Sequence, residues 1–80
     1  MDIYLIHRNN GQEPYWDVTV NFVIAADTPE KARFLASEDA AGRGEATSIW
    51  LDGSKSVLSL LGKARPGLQE GIVLRDFRSG

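Results

Sequence analysis

The chain has 80 residues and a mass of 8.8 kDa, and 42% of its residues are hydrophobic, 9% aromatic and 25% charged. These values are typical of a small globular domain with one core, and they exclude a disordered, collagen-like or membrane-spanning polypeptide. Because there is no cysteine and only one histidine, disulfides, thiolate chemistry and a structural zinc site are excluded. We therefore expect one domain over residues 1–80, with no metal and no cofactor.

The net charge of −2 and the pI of 5.2 argue against nucleic-acid binding, which requires a basic surface. The charge is uneven, because residues 1–52 carry nine acidic and four basic side chains whereas residues 53–80 carry two and five. Such a dipolar surface favours charged protein partners. The first residues have no basic leader, and their apolar run ends after Ile6, so neither a signal peptide nor a membrane span is predicted and we expect a cytoplasmic protein.

The first third of the chain predicts two strands. Residues 3–8 are mostly apolar and β-prone, and the turn-forming residues 9–14 follow them. In residues 15–26 apolar and polar side chains alternate, which predicts a strand with one buried and one wet face. The buried positions would be Trp16, Val18, Val20, Phe22 and Ile24, and the wet ones Asp17, Thr19 and Asn21. The continuous apolar run 22–26 indicates a central strand or one covered on both faces.

A helix is predicted from about residue 29. Thr28 is a good N-cap, Pro29 suits the first helical position, and Glu30 favours the positive end of the helix dipole. Apolar side chains recur at helical spacing, which predicts one stripe packed on the sheet. The glycines at 42 and 44 predict the end of the helix.

The last third predicts two more strands. Residues 47–51 are ambiguous between a short strand and a covered loop, in which Ile49 or Trp50 is buried. Residues 56–64 read as a strand of uncertain register, and residues 71–77 as the last strand. Pro and Gly occupy the centre of a type II turn over residues 65–68, so we expect these two strands to pair as a hairpin.

The predicted order ββα-ββ gives a two-layer α+β domain, in which one helix packs on an antiparallel sheet of about four strands. The sheet has two edges. Lys63 and Arg75 are candidates to keep one edge from pairing with other chains.

The sequence offers little for catalysis, so we expect no enzyme. His7 is the only imidazole, Lys55 stands beside a turn among serines, and the adjacent Glu38 and Asp39 point about 100° apart on a helix. The glycines around Arg43 follow a helix and do not open one, which is typical of a helix stop and not of a phosphate loop. The aromatic side chains are needed mostly in the core, although one of them is a candidate anchor for a partner.

Residues 60–77, with their Pro-Gly turn between strands, resemble the closing hairpin of small phage and prophage proteins. Tyr4, the helix start at residues 28–33 and Trp50 are similar in placement, so the likeness covers about half of the chain. The sequence also resembles the general type of an anti-CRISPR protein. This resemblance implies a phage protein that acts in the host cytoplasm by binding and blocking a host machine.

Two functions remain open. The first is a non-catalytic inhibitor of a type I CRISPR surveillance complex (Cascade) that hinders recruitment of target DNA without touching nucleic acid itself. Acidic side chains would approach the basic DNA channel. The candidates are Asp17, Asp27, Glu30, Glu38, Asp39 and Glu45. The alternative is a structural or regulatory phage accessory protein that self-associates or binds a partner through a sheet edge. On the first reading we expect a monomer, whereas a stable homodimer favours the second.

Overall fold

The computed structural model describes residues 1–9 and 18–78 and has the expected two-layer α+β architecture. An antiparallel four-stranded sheet carries two helices in place of the single helix expected. The elements in chain order are β1 (Asp2–Arg8), β2 (Val18–Ala26), α1 (Pro29–Gly42), α2 (Ser48–Leu51), β3 (Ser56–Lys63) and β4 (Gly71–Arg78).

The strand order is β3-β1-β2-β4, with β1 and β2 in the centre and both outer strands antiparallel to their neighbours. The expected hairpin between β3 and β4 is therefore wrong, because these strands lie on opposite edges. The turn itself is present: Gly67 has a φ of +93° and the Leu68 amide donates to the Arg65 carbonyl at 3.2 Å. It lies within a connection that runs from one edge of the sheet to the other.

Helix α1 begins as the sequence predicts. The Thr28 hydroxyl accepts a hydrogen bond from the Lys31 amide at 3.0 Å, and Pro29 occupies the first turn. The helix ends at Gly42, and Gly44 follows with a φ of +75°. The buried stripe consists of alanines and a serine, which lets the helix lie close to the sheet. Its members are Ala32, Ala36, Ser37 and Ala40.

The core lies between the two helices and one face of the sheet, here called the covered face. Trp50 is fully buried at its centre and meets the Phe22 ring edge to face, with 4.8 Å between ring centroids. The segment over residues 47–51 is thus neither a strand nor a loop, because residues 48–51 form the helical turn α2, which delivers Trp50 to the core. The covered face is formed mainly by Tyr4, Ile6, Phe22 and Ile24.

Strand β2 confirms most of the predicted alternation. Val20, Phe22 and Ile24 are buried, and the central position of the strand agrees with the apolar run at its end. Thr19 was expected on the wet face but is fully buried, because the pairing with β4 shifts between Thr19 and Asn21 and interrupts the alternation. Residues 10–14 of the predicted loop and the strand positions 15–17, with Trp16 and Asp17, lie outside the described residues.

Candidate protein-binding site

The six acidic candidates do not form one surface. Glu45 and Asp39 make contacts within the domain, whereas Asp27, Glu30 and Glu38 are exposed at the start of α1 and along it. Asp17 lies outside the described residues. Among the described residues, three of the candidates are therefore exposed: Asp27 just before α1, and Glu30 and Glu38 on it.

Glu45 is a structural carboxylate. It accepts hydrogen bonds from the Thr19 amide at 2.8 Å, from the Thr19 hydroxyl at 3.0 Å and from Arg43 Nε at 3.0 Å, and its side chain is 7% exposed. Burial alone would raise the pKa of Glu45, but the bonds from Thr19 and Arg43 outweigh it, so the pKa lies below its usual value. Arg8 Nη2 adds a second cation at 3.9 Å. This carboxylate ties the segment after α1 to β2.

Asp39 ties α1 to the edge strand β4. Arg75 donates to it from Nε at 2.8 Å and also from Nη2 in a bidentate pair, and Arg43 Nε lies 4.0 Å away. The hydrogen bonds to Asp39 raise the pKa of Arg75. Arg75 therefore holds β4 against the helix, in addition to placing a charge on that edge.

Arg33 fixes the start of β3 in a similar way. Its Nη1 donates to the Trp50 carbonyl at 2.9 Å and to the Ser56 hydroxyl at 2.8 Å, and its Nη2 donates to the Ser56 carbonyl at 3.2 Å. The Ser56 amide donates to the Asp52 carbonyl at 3.2 Å. One arginine thus joins α1, α2 and β3, and the backbone groups of Ser56 are already engaged.

The two sheet edges differ in how they are protected against pairing. Strand β4 carries Arg75, Asp76 and Arg78, and its register with β2 shifts at two places. Charges and irregularities of this kind discourage strand addition. Strand β3 has no charged side chain from Ser56 to Gly62, and its single irregularity lies beyond Leu60. Lys63, the last residue of β3, is its one charge, so by these criteria β3 is the less protected edge.

The backbone of β3 presents two free positions at that edge. The Asn9 amide donates to the Lys55 carbonyl at 3.0 Å, so this pair is a hydrogen-bonded one. Because such pairs alternate along an antiparallel ladder, Val57 and Ser59 bond to β1 and the N–H and C=O groups of Leu58 and Leu60 point outward. Leu58 is half-buried against the core, while Leu60 is 62% exposed.

The face of the sheet opposite the helices holds a shallow open depression of about 400 Å³. Leu5, Val23 and Leu74 lie opposite one another in register and form its apolar floor. At its rim the Asn21 side-chain amide donates to Asp76 Oδ2 at 2.9 Å. The depression is open and mainly apolar, and its polar contact is the pair formed by Asn21 and Asp76.

The other chemical candidates are not brought together into a site. The distance from Nδ1 of His7 to the carbonyl oxygen of the neighbouring Arg8 is 3.1 Å. Over residues 1–9 and 18–78, no three His, Asp or Glu side chains lie close enough to hold a metal ion. Neither helix in this part of the chain has the length and apolar character needed to cross a membrane.

The lack of charge in β3 could have indicated a binding edge, but the predicted hairpin placed a partner strand beside it. A strand without charge from Ser56 to Gly62 is unusual at an edge, but it is ordinary for a strand paired on both sides. The bonds between Thr19 and Glu45 had no comparable signal, because they join residues far apart in the chain. Comparisons with protein-family models, with curated proteins and with solved structures find no match for this chain.

Proposed function

We propose that the protein is a non-catalytic protein-binding domain that acts by adding its edge strand β3 to another strand. One observation carries the proposal: an uncharged edge from Ser56 to Gly62 that presents the free backbone groups of Leu58 and Leu60. In strand addition, backbone hydrogen bonds supply affinity and the alternating side chains supply specificity. Of the two functions that the sequence left open, this geometry favours the accessory protein that self-associates or binds through a sheet edge.

The anchoring of β3 supports this role. An edge that receives another strand must be held in its extended form, because ordering it on binding would cost conformational entropy. Arg33 fixes its first residue through Ser56, and the pairing with β1 holds the rest. At the other edge, Arg75 is bound to Asp39 and β4 is irregular. The domain therefore has one prepared edge and one protected edge.

The matched variants Leu60→Lys and Val73→Lys test the proposal. Both side chains are exposed, by 62% and 50%, and they lie on opposite edges, so each change should alter stability by less than about 0.5 kcal/mol. A lysine on β3 places charge on the binding edge, and we expect it to weaken binding at least about tenfold. The lysine on β4 should leave binding within about twofold.

The wild type and both variants are immobilised and used to capture proteins from host lysate. Each captured protein is then purified, and its affinity for the wild type, Leu60→Lys and Val73→Lys is measured by titration. The wild type is also measured alone for self-association by sedimentation. Equal affinity of the wild type and Leu60→Lys for every reconstituted partner would contradict the proposal. So would a wild type that binds nothing and remains monomeric.

As a second candidate, we propose the inhibitor of a type I CRISPR surveillance complex that the sequence suggested. The observation in its favour is the exposure of Asp27, just before α1, and of Glu30 and Glu38 on α1. Two of these charges act on the sheet: burial and Asp2 raise the pKa of Tyr4 most, and Glu30 and Asp27 raise it further. Acidic side chains at the rim of an interface chiefly accelerate association with a basic surface.

The triple variant Asp27→Asn, Glu30→Gln, Glu38→Gln tests this second candidate. With purified surveillance complex, we expect its association rate to fall about tenfold at low salt and to match that of the wild type near 0.5 M salt, where exposed charges are screened. A gel shift of target DNA reports whether the bound wild type hinders DNA recruitment. Failure of the complex to retain the wild type at micromolar concentration would remove this candidate.

A further inference from the structure

The free groups on β3 are complementary to themselves, and this points to a particular partner. Within the described chain, the outward N–H and C=O of Leu58 and Leu60 have no partner, whereas those of Ser56 bond to Asp52 and Arg33. Beyond Leu60 the register shifts, which ends the regular ladder. The edge therefore offers two hydrogen-bonding positions, separated by Ser59.

We infer that the occupant of the β3 edge is a second copy of this chain, paired antiparallel about a two-fold axis through Ser59. In this register Leu58 of one copy lies opposite Leu60 of the other, and the reverse pair forms at the same time. All four free positions are then used in hydrogen-bonded pairs. The result is a continuous sheet of eight strands, twice the four of one copy. This inference rests on the proposed function and identifies the partner at the same edge.

Other registers satisfy fewer groups. A two-fold axis through Leu58 would place Leu60 opposite Ser56 of the other copy, whose amide and carbonyl are already engaged. An axis beyond Leu60 would place the register shift inside the new ladder. Only the register centred on Ser59 uses the free backbone groups of both leucines without displacing a bond that the domain already makes.

The side chains agree with this register. Leu58 and Leu60 lie on the covered face, opposite Ile6 and Tyr4, so a leucine pair across the new interface would extend the core from one copy into the other. Leu60, which is 62% exposed in the single copy, would gain an apolar neighbour. Charged side chains are absent from Ser56 to Gly62, so no like charges meet inside the ladder. The lysines at positions 55 and 63 come opposite each other just beyond its two ends.

A cysteine at position 59 tests the register, because the natural chain contains no cysteine. In the inferred dimer the two copies of Ser59 form a non-hydrogen-bonded pair with about 4.5 Å between Cα atoms, within reach of a disulfide. Under mild oxidation, Ser59→Cys should cross-link to a species of twice 8.8 kDa in more than about half of the molecules. The control Val57→Cys is also exposed, but its two copies would lie about 13 Å apart and should not cross-link.

Sedimentation under reducing conditions gives the second readout. We expect the wild type to form a dimer and the Leu60→Lys variant to remain monomeric. A wild type that stays monomeric at millimolar concentration would overturn the inference. So would a dimer in which Val57→Cys cross-links as well as Ser59→Cys. The same experiments separate this inference from the proposed function. A monomer that binds another protein, and binds it less tightly after Leu60→Lys, would refute the self-pairing and leave the proposed function intact.

Discussion

Replacing Trp50 by alanine is expected to lower the free energy of unfolding by about 3–5 kcal/mol, the largest effect of any single substitution considered for this domain. Trp50 is fully buried and supplies the largest side chain in the core. The fully buried residues that α1 contributes to the same core cluster are alanines, which are too short to fill the space that it would leave. Because a chain of 80 residues can form only a small core, we expect a loss of this size to leave a substantial unfolded fraction at 25 °C.

The control for this prediction is Trp50→Phe. Among the described residues, the indole N–H of Trp50 is buried without a hydrogen-bond partner, so its removal costs no bond, and a phenyl ring keeps part of the edge contact with Phe22. We expect a loss of about 1–2 kcal/mol for this variant, from the smaller volume alone. Chemical denaturation followed by far-UV circular dichroism measures both. A loss below about 1 kcal/mol for Trp50→Ala would contradict the packing described for α2.

Replacing Glu45 by glutamine is expected to cost about 1–3 kcal/mol at pH 7, because a buried carboxylate that accepts from Thr19 and Arg43 becomes neutral. Glu38 on the exposed surface of α1 is the matched control, and Glu38→Gln should change stability by less than about 0.5 kcal/mol. Unfolding curves at several pH values measure the difference between each variant and the wild type.

The effect of Glu45 depends on pH in a defined direction. Its pKa is lowered in the folded state, so its contribution is complete above the unfolded pKa of about 4.3 and is lost as the pH falls through the folded value. The difference between wild type and Glu45→Gln should therefore be constant near neutral pH and shrink below about pH 4. The Ser54 amide and hydroxyl also lower the pKa of Asp52. Because Asp52 is present in both proteins, its effect cancels in the difference between them. A difference that grows on acidification would contradict this account.

The parts of the fold that could be predicted depend on local chemistry. The cap at Thr28, the stop near Gly44 and the alternation of β2 each follow from residues within a few positions of one another. The partner of each outer strand does not, because pairing depends on contacts between distant segments, and the Pro-Gly turn led to the wrong pairing of β3 with β4. Helix α2 escaped prediction because four residues are too few to show a helical period.

The candidate site shows a similar division. Exposure of Glu30 and Glu38 agrees with their positions on the polar side of an amphipathic helix. The internal roles of Asp39 and Glu45 could not be read from the sequence, because their distant partners Arg75 and Thr19 become neighbours only when β2 and β4 pack beside α1. The open β3 edge was hidden for the same reason: its uncharged residues become a binding surface only once β4 is placed on the other side of the sheet.

Backbone amide exchange of β3 at low and high protein concentration tests the central claim, that this edge binds another strand, most directly. The amides of Val57 and Ser59, which bond to β1, should be protected at both concentrations and serve as internal controls. The amides of Leu58 and Leu60 should exchange freely in dilute protein and become protected as β3 pairs in concentrated protein or with a purified partner. Free exchange of both leucine amides under all of these conditions would contradict the account.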